Sequence, residues 1–248
     1  MLATAYTTTD MPVAAPFNVS KGTRPAAVNN DLAQRVAGGT CRTVEAKEHV
    51  FCEGDAATHV YLVEAGHLCI YRMLSDGRRQ VIDFAYPGDF VALGALREHT
   101  ASAQATEKTR LRCYSVSLLH EVARHDPALG VSLYEAISQE LNASRELLMT
   151  VSQRTAGERV AGFLMTLSRR NQRRGENPHE IVLPMTRLDI ADFLGLTIET
   201  ISRTFTKFRN EGLIDLEQCV LVTILDPAGL ADLAGRPTSP RGRAKMAS

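Results

Sequence analysis

The chain has 248 residues, with 28 basic and 28 acidic side chains and a formal net charge of zero. That length holds one large or two ordinary domains with buried cores, and the balanced charge excludes a general polycation, so any grip on nucleic acid must come from locally placed groups. Five cysteines form no CxxC pair, their odd number argues against a disulfide framework, and no run of about 18 apolar residues exists, so a cytoplasmic chain without a membrane span is expected.

Residues 1–30, rich in Thr, Ala, Pro and Asn, predict a disordered tail, and the N-terminus lacks the basic start and apolar run of a secretory signal. From about Thr40 to Ser117, apolar segments alternate with turn residues: Val60–Val63, Leu68–Met73, Gln80–Ala85 and Leu111–Val116, with an Asp76-Gly77 hairpin signal. Strands at intervals of roughly ten residues predict an antiparallel sandwich or barrel over 31–125. Over 126–155 no proline follows Pro127 and no glycine follows Gly130, and Tyr134, Ile137, Leu141, Ser144, Leu148 and Val151 recur at spacings of three and four. Such a seam either pairs with a copy of itself or packs along its own barrel. A third unit is expected over 156–235, opening with the helical stripe Arg159, Val160, Phe163, Leu164 and Leu167 and containing strands at Ile181–Pro184 and Val220–Ile224. Residues 236–248 predict a second disordered tail.

Within the third unit, Thr186–Leu194 reads as a short helix with Thr186 at its N-cap and Asp189 completing a capping box. Gly195 supplies a tight turn. Thr197 caps a second helix, Ile198 to about Arg209, ended by Asn210-Glu211-Gly212. Two short helices joined through glycine are a helix-turn-helix. Ile201, Phe205 and Phe208 form the core face of the second helix. On the other face, Arg203 suits guanine O6 and N7, Glu199 suits cytosine N4, and Ser202 suits several base edges. Glu199 and Arg203 are also spaced for an ordinary surface ion pair. Residues 155–248 carry 13 Lys and Arg against 11 Asp and Glu, so binding must rest on a few aimed contacts. Thr186, Arg187, Thr197, Thr200 and Lys207 have the chemistry of phosphate contacts.

The run Leu183-Pro184-Met185-Thr186-Arg187-Leu188-Asp189-Ile190-Ala191-Asp192-Phe193-Leu194-Gly195-Leu196-Thr197-Ile198-Glu199-Thr200-Ile201-Ser202-Arg203 resembles the DNA-reading signature of the CRP/FNR regulator superfamily. Leu74-Ser75-Asp76-Gly77-Arg78-Arg79-Gln80 and Pro87-Gly88-Asp89-Phe90 resemble the strands of that family's barrel, and the likeness extends over about 40–235, nearest to the FixK and FNR branch. The resemblance implies an α+β fold: an N-terminal cyclic-nucleotide-binding-like β-barrel of jelly-roll type, a long dimerisation helix, and a C-terminal winged helix-turn-helix. It also favours the homodimer for the 126–155 helix. In the family, residues matching Glu199, Ser202 and Arg203 read a TTGA-type half-site, and relatives that read GTGA carry an arginine where this chain has Ile198. The implied function is a non-enzymatic transcription regulator, chiefly an activator. It would bind a TTGAT-N4-ATCAA-like palindrome on double-stranded DNA and control low-oxygen respiration, nitrogen fixation or denitrification genes. The family also uses the Asp76-Gly77 loop to touch RNA polymerase; otherwise that dipeptide is only a hairpin turn.

Two departures from the family pattern shape the cofactor expectation. The segments matching the nucleotide-binding ones, Phe90-Val91-Ala92-Leu93-Gly94 and Thr100-Ala101-Ser102-Ala103, lack the glutamate and the phosphate arginine, and an anionic phosphate buried without a cation is costly. No cysteine precedes Cys41, so the closely spaced thiolates of an iron–sulfur cluster are missing. No cofactor is therefore expected, as in the FixK type. The alternative is a sensor whose barrel must take up a small molecule or haem before DNA is bound. The seven histidines form no HxH or HExxH pattern, so neither a metal site nor catalytic residues are assigned. The cysteines read as small apolar fillers, with a redox role a minority alternative for Cys219, in the segment expected to form the wing.

Overall fold

The computed structural model describes residues 36, 38–94, 97–152, 155–218 and 220–235, without the side chains of 139, 140 and 142–152. The two expected tails, at 1–30 and 236–248, and Cys219 lie outside the described residues, as do the side chains of Ser144, Leu148 and Val151.

Eight strands come first: β1 (Thr40–Val44), β2 (His49–Phe51), β3 (His59–Ala65), β4 (Leu68–Met73), β5 (Arg79–Ala85), β6 (Phe90–Val91), β7 (Ser102–Ala105) and β8 (Thr109–Ser115). They pair antiparallel into two four-stranded sheets, ordered β1-β8-β3-β6 and β2-β7-β4-β5. Alternate residues of both sheets share one core: Val44, Val63 and Leu111 from the first, Leu68, Ala103 and Ala105 from the second, all fully or almost fully buried. The turn from β3 to β4 requires glycine. Gly66 has φ +80°, and a Cβ there would lie 2.4 Å from Thr109 Oγ1 and 2.7 Å from the Lys108 carbonyl. Gly77, at φ +82°, closes the β4–β5 hairpin, where the Leu74 amide donates to the Arg78 carbonyl at 2.8 Å.

The strand expected over Leu111–Val116 ends one residue early. The Ser115 hydroxyl accepts from the Leu118 amide at 3.2 Å and caps α1 (Val116–His125), a helix that the apolar pattern did not predict. Next comes α2 (Pro127–Ser152), the long helix expected from the three-four spacing. It buries Leu129 and Ala136 with Val60, Tyr114 and Leu119 of the barrel side. Its other side presents Val131, Tyr134, Ile137 and Leu141 to solvent, with Tyr134 72% exposed. Three residues of the seam are thus left exposed by their own barrel.

The last unit comprises α3 (Ala156–Arg174), β9 (Glu180–Val182), α4 (Arg187–Leu194), α5 (Ile198–Asn210), β10 (Ile214–Glu217), β11 (Leu221–Ile224) and α6 (Pro227–Gly235). Helix α3 opens on a capping box: Glu158 accepts from the Thr155 amide at 2.9 Å while Thr155 accepts from the Glu158 amide. The three strands pair antiparallel in the order β10-β11-β9 and form the wing; β10 carries too few apolar residues to have been predicted. Val160, Leu164, Ile190, Leu194, Ile201, Phe205, Phe208, Val222 and Leu230 make the core of this unit. Cys69, Val81, Phe84 and Tyr86 of the barrel belong to the same cluster, so the two units share apolar contacts.

Leu164 is fully buried at the centre of that cluster. Leu164→Ala is expected to cost about 2–5 kcal/mol in urea unfolding of the purified protein. A loss below about 1 kcal/mol would show that the α3 face is not the core of the last unit.

Candidate nucleic-acid interface

The helix-turn-helix is built by its caps. Thr186 closes the start of α4: its hydroxyl accepts from the Asp189 amide at 3.1 Å and donates to Asp189 Oδ2 at 2.7 Å, and that same oxygen accepts from the Thr186 amide at 2.9 Å. Gly195 ends the helix in the left-handed region, φ +63°, donating to the Ala191 carbonyl. Arg159 of α3 donates to the freed Leu194 carbonyl at 3.0 Å, tying the turn to the domain core. Thr197 then caps α5 by accepting from the Thr200 amide at 3.2 Å.

Helix α5 divides cleanly. Ile201, Thr204, Phe205 and Phe208 are buried, whereas Ile198, Glu199, Ser202, Arg203, Thr206, Lys207 and Arg209 are exposed. The outward face bears an open depression lined by Ser202, Arg203, Thr206, Lys207, Asn210 and Glu211. Glu199 is held below its ordinary carboxylate range first by its own backbone amide, then by the Thr197 hydroxyl, with the Arg203 charge contributing least. Among the described residues no Glu199–Arg203 ion pair forms, so the two side chains do not neutralise one another. A carboxylate and a guanidinium one turn apart, with a small hydroxyl between them, offer an acceptor and a bidentate donor to a groove floor.

The residues expected at phosphates are spread around this face. Lys207 reaches into solvent, with only a loose 3.8 Å approach to Glu211. The Thr186 and Thr197 hydroxyls are engaged in capping, and Thr200 is half-buried with its hydroxyl 3.0 Å from that of Thr197. Arg187 is half-buried, its guanidinium carbon 3.7 Å from the centroid of the Phe205 ring. Sequence patterns gave no sign of a second set of residues, which holds the helix-turn-helix from behind: Arg79 of the barrel donates to Asp189, and Gln80 donates to the Asp192 carbonyl. Their partners lie 110 and 112 positions along the chain, beyond the reach of any local periodicity.

The two barrel segments expected to match nucleotide-binding ones, Phe90–Gly94 and Thr100–Ala103, carry no glutamate and no arginine. His99 is buried and stacks on Phe51 with ring centroids 3.7 Å apart, and Phe51 in turn stacks on Tyr61. Burial pushes His99 below the usual histidine range. Ala101 and Ala103 are buried, and the Ser102 hydroxyl accepts from the Glu53 amide at 3.0 Å. Thr100–Ala103 supplies no cation, so these residues do not fit an anionic cyclic phosphate. Among the described residues no group of three His, Cys, Asp or Glu side chains is gathered for a metal, and no helix is long and apolar enough to cross a membrane.

Comparison with known proteins agrees with this architecture. Residues 158–233 match the Crp-like helix-turn-helix domain family and residues 41–126 the cyclic nucleotide-binding domain family. The chain is 37% identical over 203 residues to the nitrogen fixation regulation protein FixK of Azorhizobium caulinodans, covering 81% of this chain and 82% of that one. It is 36% identical to the transcriptional activator protein Anr of Pseudomonas protegens, covering 78% and 80%. Among solved structures, FixK2 from Bradyrhizobium japonicum superposes with a TM-score of 0.76 at 31% identity, covering 80% of this chain and 98% of that one.

The Asp189 carboxylate gives this site a pH signature. Partial burial raises its pKa, but hydrogen bonds from Thr186 and then Arg79 outweigh that and hold the group below its ordinary 3.8. A depressed native value means that the stabilisation is complete above the unfolded value and is lost as pH falls through the native one. Asp189→Asn is therefore expected to lower the urea midpoint at pH 7, and the gap from wild type should narrow as pH drops below 3.8. A gap of constant size down to about pH 2.5 would remove the ionised carboxylate from the account.

Proposed function

The chain belongs to the CRP/FNR superfamily of DNA-binding transcription regulators, and we propose that it acts as a homodimeric, cofactor-free activator of the FixK type. The observation that carries this reading is the outward face of α5, where Glu199, Ser202 and Arg203 stand exposed on a helix capped by Thr197 and anchored through Ile201, Phe205 and Phe208. On this proposal those three side chains read the base edges of a TTGAT-N4-ATCAA-like palindrome, while Thr186, Arg187, Thr197, Thr200 and Lys207 fix the backbone register. Ile198, exposed at the first turn, replaces the arginine that a GTGA half-site requires.

The proposed dimer forms along α2 through Tyr134, Ile137, Leu141, Ser144, Leu148 and Val151. The first three leave a large apolar stripe in water, a cost that pairing with a second copy removes. A two-fold pair presents two reading helices to successive major grooves. The proposed division of labour is a barrel over 31–125, a dimerisation helix over 126–155 and a DNA-binding unit over 156–235. The β4–β5 hairpin, with Met73 and Leu74 exposed beside its tip, is the proposed contact for RNA polymerase in the same cytoplasm. The name of its FixK relative supports a regulon in nitrogen fixation, and control of low-oxygen respiration or denitrification genes is proposed with it.

Purified protein without added ligand is expected to bind a TTGAT-N4-ATCAA duplex in fluorescence anisotropy and to reject a scrambled one; equal affinity for both would sink this reading. Arg203→Ala should weaken binding by about 1–3 kcal/mol per half-site and relax selectivity at the guanine. For the dimer, Ile137→Asp should move the sedimentation coefficient from a two-chain to a one-chain particle, and a wild type that sediments as a monomer would overturn the pairing.

A further inference from the structure

Charged and polar contacts join the DNA-binding unit to the barrel at two places. At the first, Arg79 of β5 donates to Asp189 Oδ1 at 2.5 Å and to Cys69 Sγ at 3.0 Å, and its guanidinium lies 4.3 Å from the centroid of the Tyr71 ring. Next to it, Gln80 donates to the Asp192 carbonyl. At the second, Arg170 of α3 pairs with Asp89, its guanidinium 3.9 Å from the Tyr86 ring centroid, and Arg174 donates to the Pro87 carbonyl at 2.6 Å. Between the two places, Phe84 meets Phe193 at 5.3 Å, and Phe193 meets Phe163 at 5.8 Å. Both ion pairs are partly shielded from water, with side chains 25% and 12% exposed in the first and 29% each in the second.

We propose that Arg79 and Arg170 are positioning residues for DNA reading, holding the DNA-binding unit in one orientation against its own barrel so that α5 faces outward without an effector. The barrel grips α3 and α4, and leaves the outward face of α5 exposed. Asp189, the acceptor on the DNA-binding side, is itself locked by the Thr186 capping box, so the grip on it is a grip on the first helix of the motif. Swinging the unit away would break both of these partly desolvated pairs, and a shielded charge that loses its partner is strongly disfavoured. Burial pushes the Cys69 thiol up to about 12, so Asp189 is the anion that Arg79 bonds there, with the Asp192 carboxylate also within reach of its charge. A two-headed reader needs both helices at fixed spacing and tilt. Pre-setting that orientation cuts the ordering cost of specific binding and does little for loose contact with phosphates.

This inference rests on DNA reading but not on the sequence of the half-site. The probe is therefore the duplex that the wild-type protein itself enriches from a randomised pool. Arg79→Met is expected to weaken binding to that duplex at least tenfold, leave binding to random duplex within twofold, and speed hydrogen exchange in 187–194 without changing it in β3 and β8. Arg79→Lys, which keeps the charge, should recover most of the loss. Arg170→Met, at the far end of the seam, should repeat the pattern and carries the test if Arg79→Met does not fold. Unchanged specific affinity in folded Arg79→Met and Arg170→Met overturns the proposal, as does an equal loss in the Lys and Met variants at 79. A wild type that enriches no duplex overturns DNA reading and this inference together.

Discussion

The Asp189 carboxylate is the point through which the rest of the structure is tied. One oxygen closes the first turn of α4 by accepting from Thr186, and the other accepts from Arg79 of the barrel. A helix of eight residues has little stability of its own, because most of its backbone donors and acceptors lie in terminal turns. It persists here because its N-terminus is capped and its apolar face, Ile190, Ala191 and Leu194, is buried with α3 and α5. The same carboxylate thus fixes where the helix begins and where the domain carrying it stands. Ionised and hydrogen-bonded on both oxygens, it is a buried charge that the fold can tolerate.

Two helices owe their meaning to being half-covered. Helix α5 buries a ridge of Ile201, Phe205 and Phe208, and that anchoring leaves the polar ridge a fixed angular position instead of a mobile one. Helix α2 buries Leu129 and Ala136 and leaves an apolar ridge in water. The polar ridge is stable as it stands, whereas the apolar one is a standing cost until something covers it. This difference is why the first is assigned to DNA and the second to another protein chain.

The helix-turn-helix was legible because its determinants are local: threonine caps, an acid three residues on, a glycine at the left-handed turn, and a 3.6-residue apolar period. The strands with strong alternation, β3, β4, β5 and β8, were legible for the same reason. Strands β1, β2, β6, β7 and β10 escaped. Some are two to four residues long, and β1, Thr-Cys-Arg-Thr-Val, buries only Val44 fully. Helix α1 escaped because Val116 continues the apolar beat of β8, and only the Ser115 cap marks the change. The outward residues of α5 could be named from the chain, whereas the seam behind them could not. Arg79 looks like any charged residue after a hairpin until the fold sets it beside Asp189, and Arg170 looks like one more residue of a solvated basic run until it covers Tyr86.

Those hidden contacts bear on how a barrel without a phosphate site can still serve a DNA-binding domain. A barrel that takes a charged ligand needs a cation inside it. Here Thr100–Ala103 carries no cation, and Ala101 and Ala103 are buried. The cations stand on the outside instead, with Arg79 on β5 aimed at the helix-turn-helix and Asp89, beside β6, receiving Arg170 from α3. A ligand shifts an equilibrium only through its differential affinity for two states. Ion pairs written into the chain bias the same equilibrium permanently, because their partners are always present at high effective concentration. On the proposed reading, the seam does continuously what an effector would do on demand, and control passes from occupancy of the barrel to the amount of protein in the cell.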